Sequence, residues 1–366
     1  MDLVRPVGEA GVSCAAVASR ADPTRWSRFT KAVIDADAPG LLERLLEFGA
    51  QQEERPLLFY EADWSLELVS EHRERLAEHY RFVVPAREAV ETLLSKSAFR
   101  ELALEKGLPT PRSQAVHPRD GEDPPELDFP FPMIAKPVPG RDDEWDALFG
   151  RLRKAVRIDD QSELKRVWAR LALRGRQVLL QELIPGPEAL IKSYHAYVDD
   201  HGLIAAEFTG RKIRTFPIEY GASCALETFD APDVLAAGRE FVERTGFKGV
   251  LKADFKRRPD GSLALLEVNP RFSLWHALGA KAGVNIPAFV IADLTGRPRP
   301  KPAHARPGTT WCDLAADMRA ARELGMSRFA WLRWVLMTCD VRSAASRRDP
   351  LPFIRGKWLR RLLPGN

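Results

Sequence analysis

One stretch, Val250 to Phe272, constrains this chain more than any other. Two apolar, alternating runs flank Pro259-Asp260-Gly261, and Asp-Gly between such runs is the strongest short-range signal for a β-hairpin. A two-residue Asp260-Gly261 loop places Asp254 opposite Glu267 and Lys252 opposite Asn269. A three-residue loop with a bulge slips the pairing by one and sends Glu267 to the other face. In the first register two carboxylates face each other with side-chain roots about 5 Å apart, which is unfavourable without a cation between them. Hard cations such as Mg2+ or Mn2+ take carboxylate and amide oxygens, so Asp254, Glu267 and Asn269 read as a metal site. The plainer alternative is a surface hairpin with two solvated acids.

Other residues add to this. Met133 to Pro137 reads as a strand with Lys136 inside an apolar run; a buried lysine is costly without an anion, so a phosphate is its natural partner. Ser95 to Gly107 reads as a helix, capped by Ser95 and stopped by Gly107 ahead of Pro109 and Pro111. Gln177 to Ile184 is a strand entering Pro185-Gly186-Pro187-Glu188. Ser193 to Val198 and Leu203 to Phe208 form a second hairpin, after which Arg211, Lys212 and Arg214 bring three bases into four positions. Ala231 to Thr245 is an amphipathic helix.

The closing Glu267-Val268-Asn269-Pro270-Arg271 resembles the signature of the ATP-grasp ligases. The resemblance covers residues 91 to 300 and implies a two-lobed clasp of ATP, with a small lobe near 127–184 and a large lobe near 185–300. It implies Mg2+ held by Asp254, Glu267 and Asn269, with Arg271 at the reacting phosphoryl or acyl-phosphate group. It further implies that Lys96 and Lys136 contact phosphates and, less firmly, that Lys154 does. Gln181, Glu182, Leu183 and Ile184 become the adenine linker, Glu188 the ribose acid and Lys212 the γ-phosphate lysine, with Arg214 in reserve. The family's glycine-rich flap is replaced by Gly140-Arg141-Asp142 and a basic segment with Arg151, Arg153 and Lys154. The implied activity is ATP-dependent joining of a small-molecule carboxylate to an amine through an acyl phosphate. A kinase-type phosphotransferase and a non-catalytic nucleotide-binding regulator are the alternatives.

The fold class is therefore α/β. Residues 1–90 read as a Rossmann-like domain ahead of the clasp, with strands at Val12–Ala18, Pro56–Tyr60 and Phe82–Pro85 and helices at Leu41–Phe48 and Glu67–Tyr80; its usual first strand is missing. Gly8 and Gly11 are too few and too late for a dinucleotide loop. After the clasp, Ser273 and His276 lie where an acceptor would enter, though a packed role is the stronger reading of His276. Pro298 to Pro307 reads as a linker, and 301–366 as a basic extension with nine Lys/Arg against two Asp between Met326 and Asn366. Its tryptophans are expected to pack on the parent domain, with contact to an anionic membrane surface held as a hypothesis. Net charge is +4 from 55 basic and 51 acidic residues, an excess too small to mark a nucleic-acid surface. Cys14, Cys224, Cys312 and Cys339 contain no CxxC pair and read as thiols of a cytoplasmic protein. A homodimer accords with the family's habit.

Overall fold

The strand alternation that marks the hairpin also sorts the large sheet into two chemically different faces. The computed structural model describes residues 1–138, 143–150, 153–175 and 177–358. Gly140, Arg141, Asp142 and Arg151 of the expected flap lie outside the described residues.

The strands are β1 (Cys14–Ala18), β2 (Thr30–Asp35), β3 (Ser113–Val116), β4 (Met133–Pro137), β5 (Val156–Ile158), β6 (Val178–Glu182) and β7 (Ile191–Val198). They continue as β8 (Ile204–Phe216), β9 (Ala222–Thr228), β10 (Gly249–Arg257), β11 (Leu263–Asn269), β12 (Thr310–Cys312) and β13 (Val341–Arg342). Helices α1 (Val4–Glu9), α2 (Leu41–Ala50), α3 (Asp63–Glu71), α4 (Arg73–His79) and α5 (Arg87–Leu94) belong to the N-terminal region. The others are α6 (Lys96–Glu105), α7 (Asp143–Phe149), α8 (Gln161–Ala172), α9 (Pro232–Thr245), α10 (Trp275–Ala282), α11 (Ile286–Thr295), α12 (Leu314–Glu323) and α13 (Arg328–Met337).

Seven strands form the large sheet in the order β11-β10-β7-β8-β9-β12-β13, and four form the small sheet in the order β3-β6-β4-β5. On β10, Leu251, Ala253 and Phe255 enter a core with Val234, Phe241 and Val242 of α9. Side chains alternate across a strand, so Lys252, Asp254 and Lys256 share the opposite face. In the small sheet, Met133, Ala135, Val178 and Leu180 pack on Leu164, Val167 and Trp168 of α8 and on Trp145 of α7. Lys136 and Gln181 are left on its other face.

The hairpin combines both readings of its turn. Arg257 pairs with Leu263 and the Arg258 amide donates to Ser262 O at 2.8 Å, so the loop is the three-residue Pro259-Asp260-Gly261. A bulge between Asp254 and Phe255 then absorbs Leu266 and restores the register, leaving Asp254 opposite Glu267 and Lys252 opposite Asn269. The metal-site pairing survives because two one-residue irregularities cancel.

Several expectations need correction. Neither Pro56–Tyr60 nor Phe82–Pro85 is a full strand: the first makes a single parallel bridge, Leu57 to Arg81, just ahead of the second; Pro56 lacks the N–H needed to extend it. The sheet partner of β1 is instead β2, parallel to it. The expected helix Glu67–Tyr80 divides at His72 into α3 and α4. Among the described residues no strand precedes α1. The small sheet begins at Ser113, ahead of the boundary near 127. Residues beyond 301 are not a plain appendage, because β12 pairs with β9 and β13 with β12 in the large sheet. Among the described residues no single helix is long and apolar enough to cross a membrane.

One buried contact ties this C-terminal segment to the large sheet. Arg214 on β8 pairs with Asp317 on α12 through Nε and Nη2, at 2.5 and 3.0 Å, with both side chains almost fully buried. Removing one partner of a buried ion pair strands the other charge. Asp317→Ala should therefore lower stability by about 3–5 kcal/mol in urea unfolding, whereas a loss under about 1 kcal/mol would show the pair to be expendable.

Candidate active site

The charged faces of the two sheets meet over the hairpin. Asp254 is buried and accepts from three side chains. Ser193 Oγ donates to Oδ1, Lys252 Nζ lies 2.6 Å from Oδ2 and Lys212 Nζ lies 3.5 Å from Oδ2. Lys252 Nζ is also 3.5 Å from Glu267 Oε1, and Asn269 Nδ2 donates to the same oxygen at 3.3 Å. Burial raises the Glu267 carboxyl, but Lys252, Lys154, Lys212 and Lys136 outweigh this and hold it well below the ordinary carboxylate range.

Lysines arrive from both lobes. Lys96 Nζ donates to Pro137 O at 2.7 Å, which brings the start of α6 against the end of β4. Lys136 Nζ donates to Gln181 Oε1 at 2.8 Å. Burial, and then the neighbouring lysines against the pull of Glu267, brings Lys136 down to about 8. Lys96 and Lys154 are likewise lowered, first by burial, while Glu267 pulls them up. Lys212 differs: burial lowers it, but Asp254, Glu267 and Glu188 more than compensate and it titrates above its ordinary value. Lys96, Lys136, Lys154, Lys212 and Lys252 thus face the two carboxylates Asp254 and Glu267, an excess of positive charge suited to a polyanion.

The linker is held from the large lobe. Lys256 Nζ donates to Gly186 O at 2.6 Å, and Arg258 Nη1 donates to Glu182 Oε1 at 2.9 Å. The Arg112 amide donates to Glu182 Oε2 at 3.2 Å, so the Glu182 side chain spans the lobes instead of facing water. Burial raises its carboxyl, and the Arg112 amide with Arg258 more than reverses this. Ile184 is buried and Leu183 half-buried. Glu188 Oε1 accepts from the Tyr220 amide at 2.6 Å, while its buried Oε2 has no partner.

Of the three bases on β8, Lys212 enters the site. Alternation alone would put Arg214 on the same face, but a register shift between Lys212 and Arg214 turns Arg214 away. Arg211 pairs with Glu227, and Arg214 is committed to Asp317, so the reserve role for Arg214 is withdrawn. Arg271 projects to the N-terminal region: Nε donates to Asp63 and Nη1 to Glu61 O at 3.0 Å, with Nη2 3.4 Å from Asn269 Oδ1. His276 is buried beside Phe272, with its imidazole brought down to about 3 by burial, and Ser273 is buried too. Burial also pushes the Cys224 thiol up, against a nucleophilic role. Lys252, Lys256 and Ser193 were not foreseen as site residues, although the spacing Lys252-x-Asp254-x-Lys256 puts the first two on the face of Asp254. Asp63 is 208 residues from Arg271 and left no local sign.

The residues fit a hard cation. The Lys252 ammonium shows that both carboxylates converge on one positive charge. Among the described residues no third carboxylate, His or Cys joins them. That donor set suits Mg2+, which binds through one or two carboxylates and takes its remaining ligands from phosphates and water.

The charged faces of the two sheets thus form a lysine-rich, net positive site suited to a polyanion. Residues 176–314 match the model of a family described as "ATP-grasp in the biosynthetic pathway with Ter operon". D-aspartate ligase of Enterococcus faecium is 26% identical over 311 residues, covering 80% of this chain and 73% of that protein. Biotin carboxylase of Campylobacter jejuni, solved as a β,γ-ATP complex, superposes with a TM-score of 0.61 at 15% identity, over 84% of this chain and 71% of that one. The biotin carboxylase domain of Hydrogenobacter thermophilus 2-oxoglutarate carboxylase, solved with MgADP, gives a TM-score of 0.59 at 15% identity, over 84% and 70%. The chain is thus similar to ATP-grasp proteins over residues 176–314 and to a D-aspartate ligase over most of its length.

The lowered Lys136 would make polyphosphate binding at this site pH-dependent. Polyphosphate favours its charged form, so affinity for MgADP should fall as pH rises through about 8, by up to roughly tenfold per unit for one linked proton. Calorimetric titration between pH 7 and 9 checks this. Lys136→Arg, charged throughout, should flatten the fall; an equally steep fall in that variant would assign it to other groups.

Proposed function

We propose that this chain is an ATP-dependent ligase that activates a carboxylate as an acyl phosphate and joins it to an amine, releasing ADP and phosphate. The observation that carries this reading is the set of five lysines from both lobes facing Asp254 and Glu267. The relationship to D-aspartate ligase supports C–N bond formation over phosphoryl transfer to a hydroxyl.

In this reading the adenine lies against Gln181, Glu182, Leu183 and Ile184, with the Glu182 carbonyl and Ile184 amide reading its edge. The unpartnered Oε2 of Glu188 is free to accept from a ribose hydroxyl. Lys96, Lys136 and Lys154 bind phosphate oxygens, and Lys212 neutralises the γ-phosphoryl group. Mg2+ held by Asp254, Glu267 and Asn269 would supply further neutralisation of phosphate charge. With phosphates and a cation bound, Lys252 would be free to leave its bridge between the carboxylates and face the transferring group.

Phosphoryl transfer depends on positioning and charge neutralisation more than on covalent help from the protein. The substrate carboxylate oxygen attacks the γ-phosphorus and ADP leaves. The amine then attacks the acyl carbon, phosphate departs, and the amine loses a proton. In this reading Arg271, whose Nη2 lies 3.4 Å from Asn269 Oδ1, steadies the acyl phosphate. The domains proposed are 1–90, 91–300 and 301–366, with the small lobe extended back to Ser113. The four cysteines are free thiols, as a cytoplasmic protein would have.

ADP release should appear with the correct amino acid or small carboxylate, and hydroxylamine should divert the product to a hydroxamate. Release of ADP without hydroxamate would instead favour a kinase. Glu267→Gln should lower Mg2+-dependent turnover about a hundredfold or more, the scale of losing one electrostatic contact in a transition state, with thermal melting little changed.

A further inference from the structure

Apart from Arg328 and Arg333, helix α13 is apolar on both its inward and its outward side, yet it lies at the surface. One side faces inward: Trp331 Nε1 donates to Asp317 Oδ2 at 2.8 Å, the Arg214 guanidinium sits 4.4 Å from the Trp334 ring centre, and Val335 is buried. This fulfils the expectation that these tryptophans pack on the parent domain. The other side carries Phe329, Leu332, Leu336 and Met337, at 79%, 47%, 64% and 80% exposure. Met318 of α12 and Leu324 just after it are exposed as well. A helix apolar on two opposite sides is normally covered on both, and an exposed apolar patch marks an interaction surface.

The charges around the patch indicate what covers it. Arg319, Arg322, Arg328 and Arg333 are all exposed on α12 and α13, against the single exposed acid Glu323 on the same two helices. An apolar helix face rimmed by arginine suits a lipid surface with anionic headgroups: the side chains enter the acyl boundary while the guanidinium groups meet phosphates. A second copy of this chain would bring the same arginines against one another.

We propose that the outer face of α13 docks this protein on anionic membrane surfaces. This is independent of the catalytic reading, because none of these side chains belongs to the nucleotide site.

The test is co-sedimentation of the full chain with vesicles of phosphatidylcholine alone, or with one fifth phosphatidylglycerol. The anionic vesicles should retain the protein at least about tenfold more strongly, with the difference shrinking as salt shortens the screening length. Phe329→Asp combined with Leu336→Asp should lower retention about tenfold without altering MgADP affinity. Arg328→Gln combined with Arg333→Gln should reduce the preference for anionic over neutral lipid, and serves if the first variant folds poorly. Equal retention on both vesicles, retention on neither, or concentration-dependent self-association abolished by Phe329→Asp would each overturn the proposal; the last would make the face an interface between copies.

Discussion

Two carboxylates set opposite each other on neighbouring strands are the constraint around which this molecule is arranged. Asp254 and Glu267 would repel across roughly 5 Å, and the protein answers with ammonium groups. Lys252 bridges the pair and Lys212 approaches Asp254, while Lys96, Lys136 and Lys154 face Glu267 from the small lobe and its approaches. Five cations around two anions leave the site positive overall. In our proposal, nucleotide phosphates together with a divalent ion would meet that imbalance, the ion at the carboxylates and the phosphates at the lysines.

The same residues hold the geometry of the clasp. Lys256 and Arg258 continue along the strand that carries Asp254, and they grip Gly186 and Glu182 of the segment joining the two lobes. The segment joining the lobes is thereby tied to the strand that carries Asp254, which in our proposal sets the distance from base to phosphates. The N-terminal region enters through Asp63 and Glu61, which hold Arg271 from the other side. A single guanidinium thus connects the loop after β11 to the N-terminal region. In our reading, activation and acceptor entry meet at that residue.

Much of this was legible in the residues themselves, because the features concerned are local. Alternation exposed the hairpin, the placement of Lys136 inside an apolar strand and the helix led by Ser95, whose hydroxyl does cap it. The turn illustrates how far such reasoning reaches. A two-residue and a three-residue loop give opposite faces to Glu267, and the chain uses the longer loop while a bulge at Leu266 restores the face. No local rule ties those two irregularities together; the burial of β10 on both faces does. Long-range partners left no sign at all. Arg214 looked like a phosphate ligand until Asp317 supplied its carboxylate, and the strands beyond Thr310 were hidden because three-residue and two-residue strands carry almost no periodic signal.

The most direct measurement of the central claim is a crystal grown with ADP and Mn2+, in which anomalous scattering locates the ion independently of the protein. The account predicts a peak bound by oxygens of Asp254, Glu267 and Asn269, with ADP phosphates among Lys96, Lys136 and Lys154 and Lys252 displaced from its bridge. Nucleotide bound elsewhere, or Lys252 still spanning the two carboxylates with no ion beside them, would contradict it.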